Sequence, residues 1–82
     1  MNYSAEIRVM LKDGIADPQG QTIERALPAL GYDGVADVRV GKQIHLTLEA
    51  KDVDEARTRA AEMCERLLAN TVIESYEVTI DE

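Results

Sequence analysis

Val38-Arg39-Val40-Gly41-Lys42-Gln43-Ile44-His45-Leu46-Thr47-Leu48-Glu49 decides the fold of this 82-residue chain. Every apolar residue in it is even-numbered, in two groups on either side of Gly41-Lys42. A two-residue Gly41-Lys42 hairpin turn suits the composition, but parity opposes it. Such a hairpin places Val40 opposite Gln43 and Val38 opposite His45. Directly opposed residues share a sheet face, so the two apolar groups would point to opposite sides. One apolar face survives only with an odd-length loop or with a strand running straight through Gly41-Lys42. A strand from Val35 to Glu49 would span ~50 Å at ~3.3 Å per residue. A compact chain of this size has a radius of gyration near ~12 Å, so half of that strand would leave its own domain. A second copy of the chain would then have to cover it, which predicts a segment-sharing dimer.

The flanking segments read more simply. From Tyr3 to Leu11 the odd positions are apolar (Tyr3, Ala5, Ile7, Val9, Leu11), the period of a half-buried strand ended by Lys12-Asp13-Gly14. Asp17-Pro18 starts a helix, with Asp as cap and Pro tolerated in the first turn. Ile23, Ala26, Leu27 and Leu30 follow at helical spacing, and Gly31 suits a left-handed cap. Pro28 predicts a bend or a shortened last turn.

Asp52-Val53-Asp54-Glu55 reads as a capping box, with Glu55 reaching back to the cap residue. Val53, Ala56, Ala60, Met63, Cys64, Leu67 and Leu68 form an apolar stripe behind it. Glu55–Arg59 and Glu62–Arg66 are spaced as ion pairs on the wet face, and Asn70 ends the helix. A last strand runs from about Ile73 to Ile80, with Tyr76, Val78 and Ile80 on one face and Glu77 and Thr79 on the other. The order β-α-β(β)-α-β predicts one α+β domain over residues 1–82: a two-layer sandwich with two helices on one face of an antiparallel sheet.

At this length folding buries only ~60% of the surface that the unfolded chain exposes. Disulfides and metal sites often make up the shortfall in small domains. One cysteine (Cys64) and one histidine (His45) close both routes and leave oligomerisation. The net charge of −7, with 9 basic against 16 acidic residues, argues against nucleic acid. No apolar run approaches the ~18 residues of a membrane span, the first residues lack a signal-peptide core, and a lone thiol fits a reducing cytoplasm.

No catalytic constellation emerges. His45 falls on the polar parity of its strand, and Cys64 on the apolar stripe of its helix, where free cysteine is commonly an inert packing residue. Asp17-Pro18-Gln19-Gly20 is a better helix start than a phosphate loop, because the Asp would repel an anion. Glu49, Asp52, Asp54 and Glu55 are read as solvated surface.

Taken in order, Asp17-Pro18-Gln19-Gly20, Thr22-Ile23, Ala26-Leu27, Leu30-Gly31-Tyr32, Val38-Arg39-Val40-Gly41-Lys42, Leu68-Ala69-Asn70 and Val72-Ile73-Glu74-Ser75-Tyr76 resemble the PurS family. The resemblance spans nearly the whole chain. It implies a non-catalytic small subunit of the amidotransferase that converts formylglycinamide ribonucleotide to formylglycinamidine ribonucleotide in purine synthesis. It further implies a chain that joins a glutaminase and a large synthetase, supports ammonia transfer, pairs with its own kind and binds no cofactor. ATP, Mg and glutamine would be used by the partner subunits. The motif positions Asp17, Gln19, Arg39, Lys42, Asn70, Glu74 and Tyr76 become candidate interface residues. Two departures stand out: Thr71 where the family usually has Pro, and Pro28 within the first helix. The rival reading is an ACT-like regulatory module, which has the same element order and would bind amino acids.

Overall fold

A computed structural model describes residues 1–81. Alternation makes the first strand: β1 (Asn2–Leu11) buries Tyr3, Ala5, Ile7 and Val9 and turns Asn2, Ser4 and Arg8 outward. It is the middle strand of a three-stranded sheet, between β2 (Gly41–Glu49) and β3 (Glu74–Asp81). Both pairings are antiparallel. Ile7 lies between Ile44 and Val78, and Ala5 between Leu46 and Ile80, so the apolar residues of all three strands share one face.

Helix α2 (Val53–Met63) covers that face. Asp52 caps it, its Oδ1 accepting from the Glu55 N–H at 2.8 Å. Glu55 reaches back one residue further than the capping box predicts, accepting from the Lys51 N–H at 3.1 Å. Ala56 and Ala60 are fully buried against Tyr3, Ala5 and Leu48. Their short side chains let the helix axis lie close to the sheet, where a larger residue would hold it off.

A π-helical turn, Cys64–Leu68, follows, closed by the Ala69 N–H donating to the Cys64 carbonyl at 3.0 Å. The extra residue in this turn re-aims what comes after it. Cys64 and Ala69 join Ile7 and Val9 in a second core cluster, while Leu67 is 83% exposed. The expected apolar stripe is therefore right up to Cys64 and wrong at Leu67. Burial pushes the Cys64 thiol pKa up, with the Glu65 charge adding to it, as befits a packing cysteine. The expected Glu55–Arg59 pair also gives way: Arg59 donates to the Glu49 carbonyl, and an ion pair on this helix joins Arg57 to Asp54 at 3.8 Å.

Helix α1 (Pro18–Ala26) starts at Asp17 as the sequence predicts, and Pro28 shortens it into a 3-10 turn over Pro28–Leu30. Gly31 ends that turn at φ 93°, a conformation that costs glycine little. The apolar spacing along this segment does not face the core of its own chain. Ile23 is 41% exposed and Leu30 71%, with Tyr32 and Val35 exposed just beyond. The cause is position: α2 already covers the sheet, while α1 lies against residues 38–40 ahead of β2. The molecule measures 51 × 26 × 14 Å with a radius of gyration of 16.3 Å, well above the ~12 Å of a compact chain.

No hairpin forms at Gly41-Lys42, in line with the parity argument, and the optional fourth strand is absent among the described residues. β2 begins at Gly41 and not at Val35. The alternation nevertheless continues upstream: Val38 and Val40 are half-buried and Arg39 is exposed. No helix among the described residues is long and apolar enough to cross a membrane.

Candidate subunit interface

β1 ends, β2 and β3 begin and α1 starts at one end of the sheet, which brings most of the candidate residues together. Asp17, Gln19, Lys42 and Glu74 line a cleft of about 340 Å³ whose apolar wall includes Val9 and Val40. Asn70 is tied to this cleft through Glu74, whose Oε1 accepts from the Asn70 N–H at 2.6 Å. Tyr76 lies beside Val9 in the β1–β3 register. Its hydroxyl pKa is raised by burial and by the nearby Glu65 and Cys64. Arg39 turns the other way, its Nη1 donating to Asp13 Oδ1 at 2.7 Å and its Nη2 to the Leu11 carbonyl.

Asp17 uses both oxygens of its carboxylate. Its Oδ1 accepts from the Gly20 N–H at 2.9 Å and its Oδ2 from the Val40 N–H at 2.8 Å. These two bonds hold its carboxyl pKa below the ordinary value, with Arg39 adding a smaller pull in the same direction. A depressed carboxylate contributes above its unfolded pKa, and that contribution is lost as pH falls through the folded value. Acid titration followed by NMR should therefore move the Gly20 and Val40 amide signals together, with a midpoint below the ordinary aspartate value. A midpoint at or above that value would show that the two bonds do not form in solution.

Sequence reasoning missed Glu24 and Gly20. Glu24 Oε1 accepts from the Val38 N–H at 3.0 Å, and Gly20 is buried where the helix meets Val38. The available signal was spacing. Asp17, Gly20 and Glu24 stand at i, i+3 and i+7, one face of a helix, with a residue lacking a side chain between two acids.

The turn before β3 accommodates Thr71. Asn70 accepts from the Ile73 and Glu74 N–H groups, and Lys12 Nζ donates to the Thr71 carbonyl at 2.7 Å. These bonds use the Thr71 carbonyl and leave its N–H out, so proline or threonine serves there. The open sheet face carries Arg8–Glu77 at 4.0 Å and Glu6–His45 at 3.9 Å, both solvent-exposed. His45 thus sits on the polar face, as its parity predicts. No group of three or more His, Cys, Asp or Glu suited to hold a metal occurs among the described residues.

The whole chain has close counterparts. A family model for PurS, described as phosphoribosylformylglycinamidine (FGAM) synthase, matches residues 4–82. The phosphoribosylformylglycinamidine synthase subunit PurS of Bacillus subtilis is 45% identical over 80 residues, covering 98% of this chain and 94% of its own. The crystal structure of Methanocaldococcus jannaschii PurS, one of the subunits of formylglycinamide ribonucleotide amidotransferase in the purine biosynthetic pathway, superposes with a TM-score of 0.87. It is 36% identical and covers 98% of this chain and 96% of its own. A chain in the structure of PurLQS from Thermotoga maritima gives a TM-score of 0.89 at 38% identity, covering 98% of both chains. With a family model spanning nearly every residue and relatives of matching length and fold, this chain belongs to the PurS family.

Proposed function

We propose that this chain is the non-catalytic small subunit of phosphoribosylformylglycinamidine synthase. In that role it bridges the glutaminase and synthetase subunits and supports ammonia transfer during conversion of formylglycinamide ribonucleotide to formylglycinamidine ribonucleotide. The observation that carries this reading is the unspent apolar surface of the α1 arm. Ile23, Leu30, Tyr32 and Val35 are exposed on one segment, beside a sheet and helix that bury a core of their own. Apolar surface gathered in this way is what an interface supplies and what an isolated domain avoids.

The same surface supports pairing with a second copy of the chain. In this reading ATP, Mg and glutamine belong to the partner subunits and the chain works in the cytoplasm without a cofactor. Size-exclusion chromatography with the cognate synthetase and glutaminase tests the bridging role. The three should co-migrate, and leaving this chain out should separate the other two. Co-migration of those two without it would contradict the proposal.

A further inference from the structure

Helix α1 and residues 38–40 share no ladder, yet side chains staple them together. Asp17 Oδ2 holds the Val40 N–H at 2.8 Å and Glu24 Oε1 holds the Val38 N–H at 3.0 Å. In extended backbone the N–H groups of residues two apart point to the same edge. The two carboxylates thus occupy one edge of this segment, as a neighbouring strand would. Between them Gly20 lies so close that an added Cβ would stand 2.4 Å from the Val38 carbonyl oxygen. The opposite edge of 38–40, like the outer edge of β2, meets no strand among the described residues.

We propose that Asp17 and Glu24 are positioning residues for assembly: their carboxylates stand in for a strand, hold residues 38–40 extended, and set the angle at which the α1 arm offers its apolar face to a second copy of the chain. This rests on the self-association reading above. The two carboxylate bonds and the close approach of Gly20 to the Val38 carbonyl tie the arm to the residues leading into β2. Asp17 does two jobs with two oxygens, capping the helix with one and holding the strand with the other. Asparagine can do only the first. An Asp17→Asn side chain keeps an oxygen for Gly20 but turns its NH₂ group, a donor, toward the Val40 N–H. A Glu24→Gln side chain keeps an oxygen for Val38, whereas Glu24→Ala keeps none.

Light scattering across a dilution series of the full chain, alongside thermal unfolding, tests the proposal. Asp17→Asn and Glu24→Ala should raise the concentration at which the assembly dissociates by about tenfold or more, the equivalent of one charge-assisted hydrogen bond. Glu24→Gln should recover most of that loss, and the unfolding of the sheet and α2 should change little. If the wild type assembles and both variants dissociate at its concentration, the positioning role is wrong. If the wild type is itself a monomer at micromolar concentration, the self-association reading fails, and this proposal fails with it.

Discussion

Ile7→Ala is expected to lower stability by about 2–5 kcal/mol, the range for deleting a buried aliphatic side chain and leaving a cavity. Ile7 is fully buried at the centre of β1, between Ile44 and Val78, and packs in the cluster with Val9, Cys64 and Ala69. A chain of this length is stable by roughly 4–12 kcal/mol on the usual per-residue scale. The loss is therefore a large fraction of the total, and the expected fall in Tm is of order 10–30 °C. Among the buried members of that cluster, Ala69 is too short to fill the space. Urea and thermal unfolding followed by circular dichroism would measure it. A loss below about 1 kcal/mol would place Ile7 outside a tightly packed core.

Gly20→Ala should have the second large effect, and a local one. By helix propensity alone the substitution gains about 1 kcal/mol. Against that, the new Cβ would stand 2.4 Å from the Val38 carbonyl oxygen and 2.7 Å from Asp17 Oδ2. The helix and strand must part, and the strand-side bonds of Asp17 and Glu24 open. The steric conflict with the Val38 carbonyl and the opening of both bonds oppose the propensity gain locally. Amide hydrogen exchange should show Val38 and Val40 losing protection while Ala5, Ile7 and Val9 in β1 keep theirs. Unchanged protection at Val38 and Val40 would mean that the close approach does not exist in solution.

Much of this architecture was legible because it depends on local rules. Alternation in Tyr3–Leu11 and in Tyr76–Ile80 assigned the correct face of both strands. Asp17-Pro18 and Asp52 marked both helix starts, and Pro28 marked where α1 gives way. Parity across Gly41-Lys42 correctly excluded the two-residue hairpin, although the strand it left open begins at Gly41. What stayed hidden depends on tertiary placement. The spacing of Ile23, Ala26, Leu27 and Leu30 identifies an apolar helix face but cannot say which chain that face meets. Leu67 fits the stripe of an ideal α-helix, and only the π turn at Cys64 moves it outward. Among the interface candidates, Asp17, Gln19, Lys42 and Glu74 do converge on one cleft. Glu24 escaped notice because an acid on a helix ordinarily reads as solvated surface. Its role appears only once residues 38–40 are seen to pass beneath it.

The central claim is the proposed role in assembly, in which this chain lets the synthetase and glutaminase work together. Reconstitution tests it most directly: formylglycinamide ribonucleotide, ATP, Mg and glutamine are supplied to the cognate synthetase and glutaminase, and product is measured with and without this chain. Glutamine-dependent product should form in its presence and fall to a small fraction in its absence. Full activity without it would contradict the account.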